Sequence, residues 1–151
     1  MTSTAHELGL PLQARPAVLV ALAVERWGEP GLINRCVRLY RELQWGDEPE
    51  LLAYLAGAKG LRWVELGFGG QSYFVRTWAL RAMLYAWNDT AAPVVVEALT
   101  DEHWRPREMA LKVIAKRIID APREVTPLRE DPVPRVQAAA DRALQKLTAG
   151  G

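Results

Sequence analysis

The chain has little of the chemistry that disulfides, metal sites and catalytic centres need. Of its 151 residues one is cysteine and two are histidine, which excludes an intrachain disulfide and leaves no metal-ligand spacing. The glycines at 67, 69 and 70 form neither a phosphate loop nor a full dinucleotide fingerprint, and no serine lies in a nucleophile motif. We therefore expect no catalytic residues, no metal and no cofactor, and a protein that is not an enzyme.

Long apolar runs and an excess of one charge are also missing. The unbroken apolar run at 17–24 is eight residues long, whereas a membrane-spanning helix needs roughly 20. The net charge of +1 gives none of the global basic field of DNA-coating proteins. A single cysteine fits a reducing compartment. The composition therefore predicts a cytoplasmic protein without a membrane partner.

A nine-residue block occurs three times along the chain. The copies lie at 75–83, 106–114 and 136–144, so they are spaced by 31 and then 30 residues. Each reads Val or Pro, Arg or Gln, two variable residues, Ala, a variable residue, Arg or Lys, and two apolar residues. A period of this size is typical of stacked repeats, in which no unit buries its apolar face alone.

Apolar periodicity, with prolines and glycines as boundaries, predicts helices and no convincing strand. Residues 60–72, which contain four glycines, are interpreted as a long loop. Thr100 and Asp101 are expected to cap the helix that follows, with His103 as a solvated turn residue. We expect a flexible leader over 1–15, one helical domain over 16–148 with clear repeats over 70–148, and a tail over 149–151. The predicted helices are 17–27, 30–43, 49–58, 73–87, 93–99, 101–119, 123–129 and 134–147.

The repeat resembles the signature of a HEAT repeat. In that signature an Asp in the turn between two helices is followed by a Val/Pro-Arg pair at the start of the second helix and by a small residue in the packing. One copy here has Asp101 in the turn, Pro106-Arg107 as the pair and Ala110 as the small residue. The next copy has Asp131, Val136, Gln137 and Ala140, and the first has Val75, Arg76 and Ala79 with Gly70 in the Asp position. The Asp and Arg side chains of such repeats can hydrogen-bond within and between adjacent turns.

The resemblance is to small bacterial HEAT-like proteins, and it has structural and functional implications. It implies an all-α fold, an α-α superhelix of stacked antiparallel helix hairpins. It also implies a scaffold that binds macromolecules, with the second helix of each hairpin on the binding side, and it implies no reaction.

Aligning the copies places cationic residues in equivalent positions of successive second helices. Because stacked helices lie roughly 8–10 Å apart, these residues are expected to form two neighbouring columns on one face. Trp104, in a turn, is the tryptophan expected to be exposed at the rim, whereas Trp78 is expected in the core. The alternative is that these lysines and arginines are ordinary solvent-facing helix residues with no binding role. The first column is Arg81, Lys112 and Arg142; the second is Tyr85, Lys116 and Lys146.

A protein or acidic peptide is the partner that such a surface favours. Nucleic acid is the alternative, because HEAT-like alkylpurine DNA glycosylases hold DNA in a comparable groove, although the near-neutral total charge counts against it. A less favoured interpretation is a protein similar to the HEAT-like bilin lyases, which only the repeat supports. The sequence does not name the partner or the oligomeric state.

Overall fold

The computed structural model describes residues 9–42, 49–66 and 72–149, and all regular structure within these ranges is helical. The all-α fold class is therefore confirmed. Short 3₁₀ turns cover Asp89–Ala91, Ala98–Thr100 and Thr126–Glu130. The α-helices are α1 Pro16–Trp27, α2 Glu29–Glu42, α3 Pro49–Ala56, α4 Ala58–Leu66, α5 Tyr73–Ala82, α6 Ala92–Glu97, α7 Trp104–Arg117, α8 Pro122–Val125 and α9 Pro134–Ala149.

Prolines begin four of these helices. Pro16, Pro49, Pro122 and Pro134 are the first residues of α1, α3, α8 and α9. Proline suits this position because its φ is already helical and the amide hydrogen that it lacks would have no partner in the first turn. These boundaries lie within two residues of the helix starts that the sequence predicts.

The predicted loop over 60–72 is wrong for its first half, because α4 is helical through Leu66. Gly60 lies inside α4, and a Cβ there would collide with the backbone oxygen of Leu52 in α3. The glycine thus allows two helix backbones to approach closely and does not end a helix. Gly57, at φ +59°, makes the turn between α3 and α4. The remainder of the predicted loop, 67–71, lies outside the described residues.

The helix predicted over 73–87 is also shorter than expected, since α5 ends at Ala82. Beyond it the chain tightens, with Leu84 N–H donating to Arg81 O and Tyr85 N–H to Ala82 O, both at 3.0 Å. Three residues per turn place positions three apart on one side. Met83 and Ala86, three residues apart in this tighter segment, are both buried.

The cap of α7 differs from the expected one. His103 is the N-cap residue, and its Nδ1 accepts a hydrogen bond from the Arg105 N–H at 3.1 Å. Asp101 instead closes the preceding turn, because its Oδ1 accepts from the His103 N–H at 2.9 Å. His103, expected as a solvated turn residue, is half-buried and caps α7.

The chain divides into two compact units, residues 1–88 and 89–151. In the first unit α2 packs against α5, and α3 packs against α1, α4 and α5. Its core is mainly aliphatic, with Leu32, Ile33 and Leu39 fully buried. The prediction of one domain over 16–148 stays a prediction.

The ends of the chain fall only partly within the described residues. Residues 9–15 belong to the first unit, and the Leu12 carbonyl accepts a hydrogen bond from the Ala58 N–H at 3.4 Å. This part of the expected leader therefore contacts the start of α4. Residues 1–8 and 150–151 lie outside the described residues, and Ala149, the start of the expected tail, is the last residue of α9.

The second unit consists of two hairpins, each with a short and a long helix. In the first hairpin α6 and the turn Ala98–Thr100 pack against α7; in the second, α8 and the turn Thr126–Glu130 pack against α9. The two long helices, α7 and α9, pack against each other. Ala110 and Ala140, the equivalent small residues of the two repeats, are both fully buried. Their small side chains fit the close approach of these helices.

Ala110→Asp is expected to unfold the second unit, because it places an unpaired carboxylate in the packing of α7, at a cost of roughly 3–5 kcal/mol. Ala138→Asp makes the same chemical change at an exposed position of α9 and should leave the melting temperature nearly unchanged. Circular dichroism melting of both variants checks this. Equal melting of the two would contradict the assigned packing.

Candidate binding surface

A polar ladder joins the two hairpins of the second unit. The Arg107 guanidinium donates from Nε and Nη2 to the two carboxylate oxygens of Asp131, at 2.8 and 3.1 Å. Its Nη1 also donates to the backbone oxygen of Asp101 at 2.9 Å. The Asp131 side chain is only 3% exposed, so this bidentate pair is largely removed from water. Such pairs are strong and geometrically specific.

The second hairpin repeats the same bonds with a different donor. Gln137 Nε2 donates to the backbone oxygen of Asp131 at 2.7 Å, as Arg107 does to Asp101 in the preceding repeat. The Val133 N–H donates to Asp131 Oδ1 at 2.9 Å, matching the bond between His103 and Asp101. The ladder therefore holds both turns in the same conformation.

Six cationic side chains form what we call the cationic strip, three on α7 and three on α9. Within each helix they are seven and eleven residues apart, close to two and three helical turns, so they share one side. Each member on α7 has a counterpart 30 residues later on α9. All are exposed except the half-buried Lys112. The strip is Arg105, Lys112 and Lys116 on α7, and Arg135, Arg142 and Lys146 on α9.

Sequence reasoning missed two members of the strip, Arg105 and Arg135. Each is the residue immediately before a copy of the nine-residue block, which begins at 106 in one repeat and at 136 in the next. Extending the alignment by one position would have found them, because they keep the 30-residue period. The structure adds them to Lys112, Lys116 and Arg142 as residues of one helix side.

One end of the strip is held in a contact cluster around Trp104. The guanidinium carbons of Arg105 and Arg135 lie 4.7 and 5.1 Å from the Trp104 ring centroid. Arg135 also forms a bidentate pair with Glu108, at 2.9 and 3.1 Å, and Lys112 Nζ lies 4.0 Å from Glu108 Oε1. Trp104, expected to be exposed, is half-buried, and its ring already has two cationic neighbours.

The other end of the strip is less neutralised. Within the described part of the chain, Lys116, Arg142 and Lys146 form no ion pair. All three are exposed. A partner carrying negative charge would therefore find these three side chains available without displacing an internal carboxylate.

Charge in the second unit is segregated between its helices. The unit has ten cationic and ten acidic side chains and thus no net charge. Helices α7 and α9 carry eight of the cations and only two of the acids. The rest of the unit carries the other eight acids and two cations. The net charge of the chain therefore conceals a strongly basic pair of long helices.

Arg81 and Tyr85 belong to the first unit and differ from each other in exposure. Arg81 is half-buried, and its Nη2 donates to the Leu55 backbone oxygen at 2.7 Å, a carbonyl in the last turn of α3. Burial lowers the pKa of Arg81, while Tyr85 acts in the opposite direction. Tyr85 is 46% exposed. The prediction that these two residues continue the columns of the second unit stays a prediction.

The described residues also include one cysteine, which lies in the core of the first unit. Cys36 is fully buried, and burial raises the pKa of its thiol to about 12, so the nucleophilic thiolate is disfavoured. The described residues contain no cluster of His, Cys, Asp or Glu that could hold a metal ion. None of the helices in 9–42, 49–66 and 72–149 is long and apolar enough to cross a bilayer.

No protein-family model matches this chain, and comparison with curated proteins and with solved structures finds no match either.

Asp131→Ala is expected to destabilise the second unit by roughly 3–5 kcal/mol, because it leaves the guanidinium of Arg107 unpaired and largely out of water. Asp141→Ala is the matched control. It breaks the exposed pair between Arg129 and Asp141, 3.0 Å apart, and should cost about 0–1 kcal/mol. Urea denaturation measures both, and an equal loss in the two variants would show that the ladder does not stabilise the unit.

Proposed function

We propose that the protein is a non-catalytic HEAT-like scaffold that binds an acidic segment of a partner protein along the cationic strip. The proposal assigns the chain no reaction, cofactor or metal. It includes the α-α superhelical arrangement and a cytoplasmic location, the latter supported by a single, buried cysteine.

The polar ladder supports the HEAT-like part of this proposal. The bonds of Arg107 to Asp131 and Asp101 are those that the repeat signature implies, and Gln137 reproduces the backbone bond in the next hairpin. Short helix, tight turn and longer helix follow one another twice in the second unit. This order is typical of helix-hairpin repeats.

The equivalent placement of cations on α7 and α9 is the observation that carries the binding proposal. Two helices that pack side by side each present three cations at the same spacing. A solvated helix surface needs no such match between repeats, and cations usually alternate with acids there. Because acids are scarce on these helices, an acidic partner gains attraction with little competing repulsion.

An acidic polypeptide fits this surface better than a nucleic acid does. Single-stranded nucleic acids bind through cationic grooves combined with aromatic rings on which bases stack. Trp104 is the aromatic residue beside the strip, and its ring already contacts Arg105 and Arg135. Carboxylates need only the cations, of which Lys116, Arg142 and Lys146 have no internal pair within the described residues.

Replacing Lys116 and Arg142 by Glu together is expected to weaken binding of a short fluorescein-labelled glutamate-rich peptide by about tenfold or more, since two attractions become repulsions. The melting temperature should change little, because both side chains are exposed. Fluorescence anisotropy at low ionic strength measures the binding, and added salt should weaken it.

The matched control replaces Arg62 and Arg123, two exposed cations outside the strip, by Glu. It changes the net charge by the same amount and should leave the affinity nearly unaltered. Equal loss in both double variants, or no binding of the peptide to the native protein, would overturn the proposal. Tighter and steeply salt-dependent binding of a labelled single-stranded oligonucleotide would replace the polypeptide partner by nucleic acid.

A further inference from the structure

The short helices of the second unit border an open apolar groove that the cationic strip does not include. Its volume is about 790 Å³. Pro93 and Val96 of α6 line the groove, as does Leu128 of the turn Thr126–Glu130. Ile119, which follows α7 by two residues, is a further lining residue. Apolar side chains thus form most of a surface that water contacts.

Acidic side chains border this groove. Glu97, Asp120 and Glu124 line it and are all exposed, and among the residues that the structure describes no cationic side chain lines it. Asp120 and Glu124 form no ion pair with any described residue. The groove therefore combines an apolar floor with a negative edge.

The residue before Ile119 has an unusual conformation. Ile118, at the end of α7, has a φ of 52° and is 49% exposed. Left-handed backbone costs an L-residue roughly 1–2 kcal/mol, and branching at Cβ makes it rarer still. The conformation ends α7 as a left-handed cap, in which the Ile118 N–H donates to the Ile114 backbone oxygen. The chain therefore turns sharply at this point, and the next residue, Ile119, lines the groove.

We infer that this groove binds an amphipathic helix of a partner protein, one that carries lysine or arginine beside its apolar anchor residues. Helices recognised in this way insert the residues of one apolar face between two helical walls. The three carboxylates at the edge complement cations that flank such a face and repel acidic helices. An open groove covers one face of a helix, whereas small-molecule pockets enclose most of their ligand.

This partner differs from the proposed partner of the cationic strip in charge and in binding residues. The two surfaces belong to different helices of the same unit, and neither depends on the other. A test of the groove therefore stands even where the proposal for the strip fails.

The probe is a short fluorescein-labelled peptide of leucine and lysine, patterned so that its leucines fall on one face of a helix. We expect it to bind the native protein, with its helicity rising on binding. A peptide of the same composition with leucine and lysine reordered, so that no apolar face forms, should bind at least about tenfold more weakly. Fluorescence anisotropy and circular dichroism measure the two effects.

Two variants locate the binding. Asp120→Lys with Glu124→Lys reverses the edge, and Leu128→Gln makes the floor polar; each should lower the affinity by about tenfold. The control, Glu102→Lys with Glu130→Lys, makes the same charge change at exposed acids that do not line the groove, and it should bind as the native protein does. The double Glu variant of Lys116 and Arg142 should also keep this affinity.

Several outcomes would overturn the inference. Equal binding of the patterned and reordered peptides would reduce the attraction to charge alone. Loss in the control variant, or no loss in either groove variant that retains its melting temperature, would place the binding elsewhere. A concentration-dependent dimer that Leu128→Gln abolishes would show that a second copy of this chain covers the groove.

Discussion

The contact between Arg107 and Asp131 is the constraint on which the geometry of the second unit depends. One guanidinium bonds a carboxylate of the next hairpin and a backbone oxygen of its own, at 2.8 to 3.1 Å. Apolar packing between the long helices is non-directional in its chemistry, whereas a planar bidentate pair needs particular atoms at particular places. The pair therefore adds a directional contact between α7 and the turn before α9, shielded from water.

Part of this arrangement could be predicted from the sequence, and part could not. Prolines and apolar periodicity located the helices because both act through local backbone geometry. Gly60 misled the interpretation because its role is a close approach to Leu52, a contact that local sequence does not contain. The cap of α7 is His103 and not Thr100 or Asp101, because Nδ1 of its ring accepts a hydrogen bond from the Arg105 N–H. Residue preferences at helix N-caps favour Ser, Thr, Asp and Asn, so they do not predict a histidine there.

The candidate surface was predictable to the extent that it follows the repeat. Lys112, Lys116, Arg142 and Lys146 were found by alignment, because residues in equivalent positions of equivalent helices face the same way. The neutralisation of Arg135 by Glu108 was not, because these residues are 27 positions apart. Which cations are committed to internal pairs is a property of the packed hairpins, and only coordinates distinguish them from the others.

The ten positive and ten negative side chains of the second unit cancel in its net charge, but most of the cations lie on the two long helices and most of the acids lie elsewhere. Such a molecule turns in the field of a charged body before it touches it, so encounters begin with the appropriate side forward. The isoelectric point is a poor guide to its chromatography for the same reason. Positive and negative bodies are therefore attracted to different segments of one and the same unit.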